Sequence, residues 1–553
     1  MILDSLSNFF EVIFFLIYFS TFGILIQLFF IKKKITISSI PELNIYGILF
    51  HYILISSLNF IFPLNLLSSY LLFINILLII YLFFKKNNVK KIYYRNIISH
   101  SSLLFIFLIW ISNLGNKKLL YEPIYYIQNI RWAQQYPIVK GLANLFDHFG
   151  FDSGHFLHLA ILDSFPFISR AFWNFSGYLL SIGFYYFFII PIVKIFNQKS
   201  IIVSDIMKLL FIPIFINNCF YMHPGIGTDL PVFIFGSIIS IEIFKMFFES
   251  KKNIGIIITC LILGFISKMS FLLIMIILII TLFLYMLYKN KNIFNKSKLI
   301  ILLSICALLI QINRNTILSG YPFYPISSIS APVQWKLDQE NVLDLSERIS
   351  RWAQGLHQNE TNPEEIKIIK NKWIKSRLFL QHRRVETLYP IILGILGLLF
   401  MVFHFKKQWI IIVLFFLPPL AQMSLWYFYV PDTRFSSFSF WWFGAGSFCH
   451  LLKYNLKNIH IKFLSLVIII VAFSIHVIDS LGQKKELMVF EKSNYNPINP
   501  LSNLVETKSG LNVWVPINEQ KCDDSPLPCT QWLNMNLELI IPGKIESGFK
   551  INK

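Results

Sequence analysis

Apolar runs close to the ~20 residues that a helix needs to cross a bilayer recur along this chain. Short basic connectors and a few long polar ones separate them. The runs predict helices at roughly 9–31, 43–62, 66–84, 97–115, 174–196, 206–223, 228–248, 253–267, 271–288, 298–313, 388–405, 408–427, 435–452 and 461–482. A soluble fold would have to bury all of them at once. The expected fold class is therefore an all-α, polytopic transmembrane bundle of about 13–14 spans.

The run from Asn253 to Leu287 would measure about 52 Å as one helix at 1.5 Å per residue. Both of its flanks, Lys251-Lys252 and Lys289-Asn290-Lys291, are basic and belong on the cytoplasmic side. An even number of crossings must separate them, which places a tight turn at Ser267-Lys268-Met269-Ser270. Basic connectors at 32–34, 85–95, 194–199, 251–252, 289–298, 406–407 and 453–462 then all fall inside. The same parity puts the N-terminus, the long loops 116–173 and 314–387, the short loops 223–228 and 430–434, and the tail outside. The resulting organisation is 1–115 (N-terminal spans), 116–173 (first large outer loop), 174–313 (central spans), 314–387 (second large outer loop), 388–482 (C-terminal spans) and 483–553 (outer tail). Met1-Ile2-Leu3-Asp4-Ser5 carries neither a basic region nor a small-residue cleavage site, so the first run reads as a retained helix and not a signal peptide.

Composition supports this picture. Of 553 residues 55% are hydrophobic and 14% charged, where a soluble domain carries roughly 25% charged. The formal charge of +20 is spread over many loops and forms no soluble basic patch, so nucleic acid is not an expected partner. Cys219, Cys260, Cys306 and Cys449 lie in apolar runs and read as packing residues. Cys522 and Cys529, in the polar tail, read either as free thiols or, in an oxidising compartment, as a small disulfide loop. The tail also shows strand-like pieces near Leu511–Pro516 and Leu537–Ile541.

Few ionisable residues interrupt the spans; Glu11, His51 and the Glu242/Lys245 pair are the candidates for a buried relay, and so few of them argue against a proton-driven transporter. Polar chemistry gathers in the outer loops instead. The segment Tyr121-Glu122-Pro123-Ile124-Tyr125-Tyr126 through Arg131-Trp132 reads as an amphipathic helix at the water–lipid boundary. Glu122 there is a half-desolvated general base, or it caps a helix or pairs with Arg131. Asp229, in Thr228-Asp229-Leu230-Pro231, opens a helix; it is either an N-cap or an acid at the mouth of the bundle. Lys268, Arg314 and, in Pro431-Asp432-Thr433-Arg434, Arg434 lie at the same boundary. Each either snorkels to headgroups or holds a phosphate; convergence on one cavity would decide for the second. No metal-ligand pattern, glycine-rich phosphate loop or nucleophile elbow is present in the sequence.

Glu122-x-x-Tyr125 in the first outer loop resembles the Asp-Glu-x-x-Tyr element of GT-C glycosyltransferases. Several further stretches resemble a bacterial family of GT-C-like membrane proteins: Gly141-Leu142-Ala143-Asn144-Leu145, Ser319-Gly320-Tyr321-Pro322, Val333-Gln334-Trp335-Lys336, Ile349-Ser350-Arg351-Trp352-Ala353, Pro431–Phe435, and Cys522–Cys529 followed by Gly548-Phe549. The resemblance runs from about residue 120 to the end. It implies transfer of a sugar from a polyprenyl-phosphate carrier to a cell-envelope acceptor on the periplasmic face of a bacterial inner membrane. In that scheme Glu122 and Asp229 are catalytic. Lys268, Arg314 and Arg434, with Asp432 beside them, bind the donor phosphate, and Tyr125 and Trp132 stack on sugar or prenyl groups. No cofactor is implied, and nothing supports a divalent cation. Tyr121 stands where the first acid of the pair is expected, and Tyr126 where the closer family suggests a His. Catalysis then rests on one carboxylate, or draws on Asp147, Asp152 or Asp229, or is lost. The alternatives are a polymerase or ligase of lipid-linked glycans and a non-enzymatic flippase or transporter.

Overall fold

A computed structural model describes residues 2–31, 39–84, 94–114, 125–168, 171–197, 200–221, 226–251, 253–289, 294, 297–356, 363–379, 384–404, 409–455, 467, 500–517 and 521–552. Glu122, the 32–34 and 406–407 connectors, most of the 85–95 connector and the expected span at 461–482 (residue 467 apart) lie outside the described residues.

The helices are α1 (Ile2–Leu25), α2 (Ile40–Asn59), α3 (Leu64–Phe84), α4 (Tyr94–Leu114), α5 (Tyr126–Gln135), α6 (Gly154–Asp163), α7 (Ala171–Phe184), α8 (Ile190–Phe196), α9 (Val203–Leu210), α10 (Ile212–Tyr221), α11 (Asp229–Phe248), α12 (Ile254–Ser267), α13 (Leu272–Lys289), α14 (Lys298–Ser319), α15 (Gln339–Ala353), α16 (Pro363–Phe379), α17 (Leu388–His404), α18 (Trp409–Phe428) and α19 (Ser437–Asn455). Among the described residues seven helical stretches are long and apolar enough to cross a membrane: Ser5–Leu28, Leu64–Leu82, Ala171–Phe196, Asp229–Phe248, Met269–Lys289, Lys298–Ser319 and Trp409–Phe428. Three shorter apolar helices accompany them. The stretch Ala171–Phe196 joins α7 and α8 through a wide turn at Tyr185–Ile189. The expected span 206–223 is divided into α9 and α10; Pro213, near the start of α10, has no N–H to continue the ladder.

Leu66, Tyr70, Phe73 and Phe84 on α3, Phe283 and Leu287 on α13, and Leu302 and Leu309 on α14 are all more than half exposed. Apolar faces of this kind suit a hydrocarbon surround better than water. α11 is the opposite case: it is buried along nearly its whole length, so the other helices wrap it. Small residues allow close crossings. A Cβ at Gly23 or Gly47 would strike the backbone of the facing helix, Leu43 or Phe19, so α1 and α2 meet nearly backbone to backbone.

The chain breaks where the length of 253–287 demanded. α12 stops at Ser267, Lys268 is extended, and a 3-10 turn at Met269–Phe271 starts α13. α14 runs on to Ser319 and ends on Gly320 at φ 86°, so Arg314 sits inside a helix and not at the head of a loop. The segment 125–168 does more than cap the bundle. α5 lies across its end, whereas α6 is inserted among α2, α3, α7 and α12 and is buried along most of its length. The tail forms two antiparallel hairpin pairs, β1 (Ser502–Glu506) with β2 (Asn512–Pro516) and β3 (Leu537–Leu539) with β4 (Phe549–Ile551). It folds back onto the first loop: Val513, Leu537 and Phe549 share a core with Trp132, Leu142 and Phe146. Cys522 and Cys529 form a disulfide.

Candidate functional site

Asp229 stands in the first turn of α11, where the helix dipole favours an acid. Thr228 does not cap the helix through its side chain. Asp229 instead accepts a short charge-assisted bond from Lys268 Nζ in the α12–α13 turn. Arg434 approaches the other carboxylate oxygen, with Nη1 4.0 Å from Asp229 Oδ2. Asp432 positions Arg434: its Oδ1 accepts from Arg434 N at 3.1 Å and from Arg434 Nε at 3.2 Å. Asp432 is 2% exposed, whereas the Arg434 side chain keeps 39% of its surface. Burial alone would weaken the Arg434 charge, but Asp229 and Asp432 outweigh it and hold the guanidinium above its ordinary range.

Aromatic rings surround these charges. The Arg434 guanidinium lies 4.9 Å above the ring of Trp352, on α15, and Lys268 Nζ 4.1 Å from that of Phe435. Tyr125 and Tyr126, at the start of α5, meet edge to face at 4.8 Å. Burial pushes both phenols up, and the Asp229 charge adds to this. The Thr228 side chain lies beside the Tyr126 hydroxyl. Asp229, Lys268, Asp432, Arg434 and Tyr125, five of the residues singled out in the sequence, therefore come together. Tyr126, Phe435 and the 54% exposed Trp352 complete the group. Sequence reasoning met those three only inside motifs, because nothing local marks which ring will lie over a distant cation.

Arg314 and Trp132 occupy a different place, which corrects the roles expected of them. Arg314 is 3% exposed and held by three hydrogen bonds. Its Nε and Nη2 donate to Asp152 at 2.8 and 3.2 Å, and its Nη1 to Asn59 Oδ1 at 3.0 Å. A residue that binds phosphate has to offer open donors, and three of those on Arg314 are spent on the Asp152 carboxylate and the Asn59 amide. Trp132 is 3% exposed and packs between Tyr136 and Phe549, so its faces are closed to stacking on a ligand. Both residues line a small, partly open cavity shared with Asn59, Asn129 and Asp152.

Two further polar groups brace the same end. The Asp147 carboxylate bonds His148 Nδ1 at 2.6 Å and Arg348, while Tyr324 donates to the Asp147 carbonyl at 2.8 Å. Burial would raise the Asp147 carboxyl, but His148 and Arg348 prevail and hold it below the ordinary carboxylate range. Arg131 ties α5 to Asp163 at 3.0 Å and to Asp524 of the tail at 2.5 Å. Gln128 donates to the carbonyls of Asp523 and Ser525, both at 2.9 Å.

Towards the other end of α11 lies a separate ionic group. Lys245 pairs with Glu242 at 2.6 Å, and Lys194 with the fully buried Asp205 at 2.7 Å; Lys208 is 3.7 Å from Asp205. Asp205 and Lys208 escaped sequence reasoning; Asp205 is met by Lys194 from another helix and by Lys208 from its own.

No curated protein and no solved structure matches the chain. The model of a family described as a domain of unknown function, DUF8201, matches residues 6–442. Most of the chain is thus covered by one family model, from the first helix through the Asp229–Lys268–Arg434 cluster, and the protein belongs to the DUF8201 family.

Proposed function

We propose that this protein is a multi-pass membrane glycosyltransferase that moves a sugar from a polyprenyl-phosphate carrier to a cell-envelope glycan or lipid, on the periplasmic face of a bacterial inner membrane. The observation that carries the reading is Asp229 set between Lys268 and Arg434, against Tyr125 and Tyr126, with these partners supplied by three separate segments. Snorkelling side chains do not need to converge. A phosphate-binding acid–base site does.

The donor phosphate takes Lys268 from Asp229 and gains the open guanidinium edge of Arg434. The carboxylate then lacks its short bond and becomes a proton acceptor. The acceptor hydroxyl oxygen attacks the anomeric carbon, the bond from that carbon to the phosphate oxygen breaks, and polyprenyl phosphate leaves. The hydroxyl proton passes to Asp229. Trp352 offers an exposed ring to the sugar or to the first prenyl units.

The test is turnover of labelled polyprenyl-phosphate sugars by the purified full-length chain in lipid. Transfer is expected from the wild type, with Asp229→Asn slowed by about 10²–10⁴-fold while a melting profile shows it still folded at the assay temperature. No transfer from any such donor, or full activity in Asp229→Asn, overturns the reading.

A further inference from the structure

Asp147 and His148 form a dyad that the proposed transfer leaves unused. Asp147 Oδ1 accepts from His148 Nδ1 at 2.6 Å, and Arg348 holds the other carboxylate oxygen. His148 and Arg348 keep the Asp147 carboxyl below its ordinary range, so it is ionised and can only accept. The Nδ1–H is thereby committed to Asp147, and in the neutral ring Nε2 carries the lone pair. Nε2 has no hydrogen-bond partner among the described residues, and the His148 side chain keeps 19% of its surface. His51, His155 and His158, in the helices beside it, are each no more than 3% exposed.

An oriented, accessible lone pair selects its ligand. An anion without hydrogens has nothing to donate to it and would stand near the Asp147 charge. A hydrocarbon leaves it unpaired. Among the described residues no group of three His, Cys, Asp or Glu side chains could hold a metal ion. A neutral O–H donor fits. The rings nearby narrow the class further. His148 lies flat on Phe146, with centroids 4.8 Å apart and planes at 17°. The indole of Trp532, supplied by the tail, meets the same Phe146 ring at 5.6 Å and is 56% exposed. An open aromatic face carries negative potential and attracts C–H groups. C–H faces and hydroxyls on one frame are the chemistry of a saccharide, and exposed groups of this kind need no closed cavity to bind it.

Position agrees. The Tyr125 ring lies 5.3 Å from that of His148 and 4.8 Å from that of Tyr126, which adjoins Asp229. We infer that His148 and Trp532 form the surface that binds the acceptor as a neutral saccharide, with His148 Nε2 accepting from a sugar hydroxyl and Asp147 fixing the imidazole. The role of acceptor rests on the transferase reading; saccharide binding at this surface requires no transfer.

Diethyl pyrocarbonate, which acylates an accessible imidazole nitrogen, tests the surface on the full chain in nanodiscs, with peptide mapping as the readout. His148 is expected to react while His51, His155 and His158 are spared. A panel of neutral mono- and disaccharides supplies the probes, with sugar 1-phosphates as anionic controls; a neutral saccharide is expected to slow the reaction of His148 saturably. Saturation-transfer NMR then measures its affinity in variants. His148→Asn keeps a donor for Asp147 and does not reach the Nε2 position, and Trp532→Ala removes the open ring; each is expected to weaken binding about tenfold. His148→Gln, whose longer amide reaches outward, is expected to recover part of the loss. Asp229→Asn is expected to bind the saccharide as the wild type does while losing transfer, so failure of the surface and failure of the transferase reading separate. Four outcomes overturn the inference: His148 resists the reagent as the buried histidines do, no neutral saccharide protects it, the anionic controls protect it better, or His148→Asn and Trp532→Ala both retain wild-type affinity.

Discussion

Replacing Arg314 by methionine tests whether this residue holds the fold or a ligand. Arg314 and Asp152 are buried together, with side chains 3% and 7% exposed. Three Arg314 bonds, two to Asp152 and one to Asn59, vanish in Arg314→Met. Asp152 is then a buried carboxylate supported by Gln311 at 3.2 Å, whose amide carries no charge. Breaking a buried pair by removing one partner costs about 3–5 kcal/mol. In the double variant Arg314→Met/Asp152→Leu no charge remains. Asn59 Oδ1 and part of the Gln311 amide lose partners, at about 1–3 kcal/mol. The single variant is therefore the less stable of the two. Reversible unfolding in mixed micelles, followed by circular dichroism, ranks them. A double variant as unstable as the single, or an Arg314→Met chain as stable as the wild type, refutes the reasoning.

Other outcomes follow from the same contacts. Arg434→Lys, which loses the planar stack on Trp352 and the fork geometry, is expected to raise the KM for a lipid-phosphate donor about tenfold without lowering stability. Cys522→Ser/Cys529→Ser opens a short tail loop, costs the tail roughly 2.5 kcal/mol by loop-closure entropy, and should make the hairpins sensitive to protease while the helices stay resistant. Gly548→Ala is expected to release the same hairpins, because Gly548 sits at φ 103° and an added Cβ would strike the Lys140 carbonyl. Asp147 has a folded pKa below its unfolded one, so its contribution is complete above the ordinary carboxylate range and is lost as pH falls through the lower folded value. Melting temperatures read from pH 6 downward should fall less steeply for Asp147→Asn than for the wild type.

Much of the scaffold could be read from the chain. Hydropathy marks the long spans, and the excess length of 253–287 together with its basic flanks locates the break at Lys268. Strand-like pieces in the tail correspond to β2 and β3. α6 was not legible, because His155, His158 and Asp163 look like loop residues until His51 and Arg131 are found opposite them: His158 Nδ1 lies 2.9 Å from His51 Nδ1. Asp229, Lys268 and Arg434 could be named one by one, since charges at span ends are rare, but their meeting depends on how α11, α12 and α19 pack. Arg314 shows the limit. An arginine at the end of a span looks the same in sequence whether it faces a phosphate or a carboxylate 162 residues away.

Sidedness carries the functional reading, because a polyprenyl-phosphate donor and an envelope acceptor meet Asp229 only from outside the cytoplasm. Trp352→Cys, made in a Cys306→Ser background, places a thiol at an exposed position beside Arg434; among the described residues the remaining free cysteines Cys219, Cys260 and Cys449 are buried, and Cys522 and Cys529 are bonded. A membrane-impermeant maleimide should label Trp352→Cys in right-side-out spheroplasts and not in sealed inverted vesicles. Labelling confined to the inverted vesicles would contradict the proposed reaction.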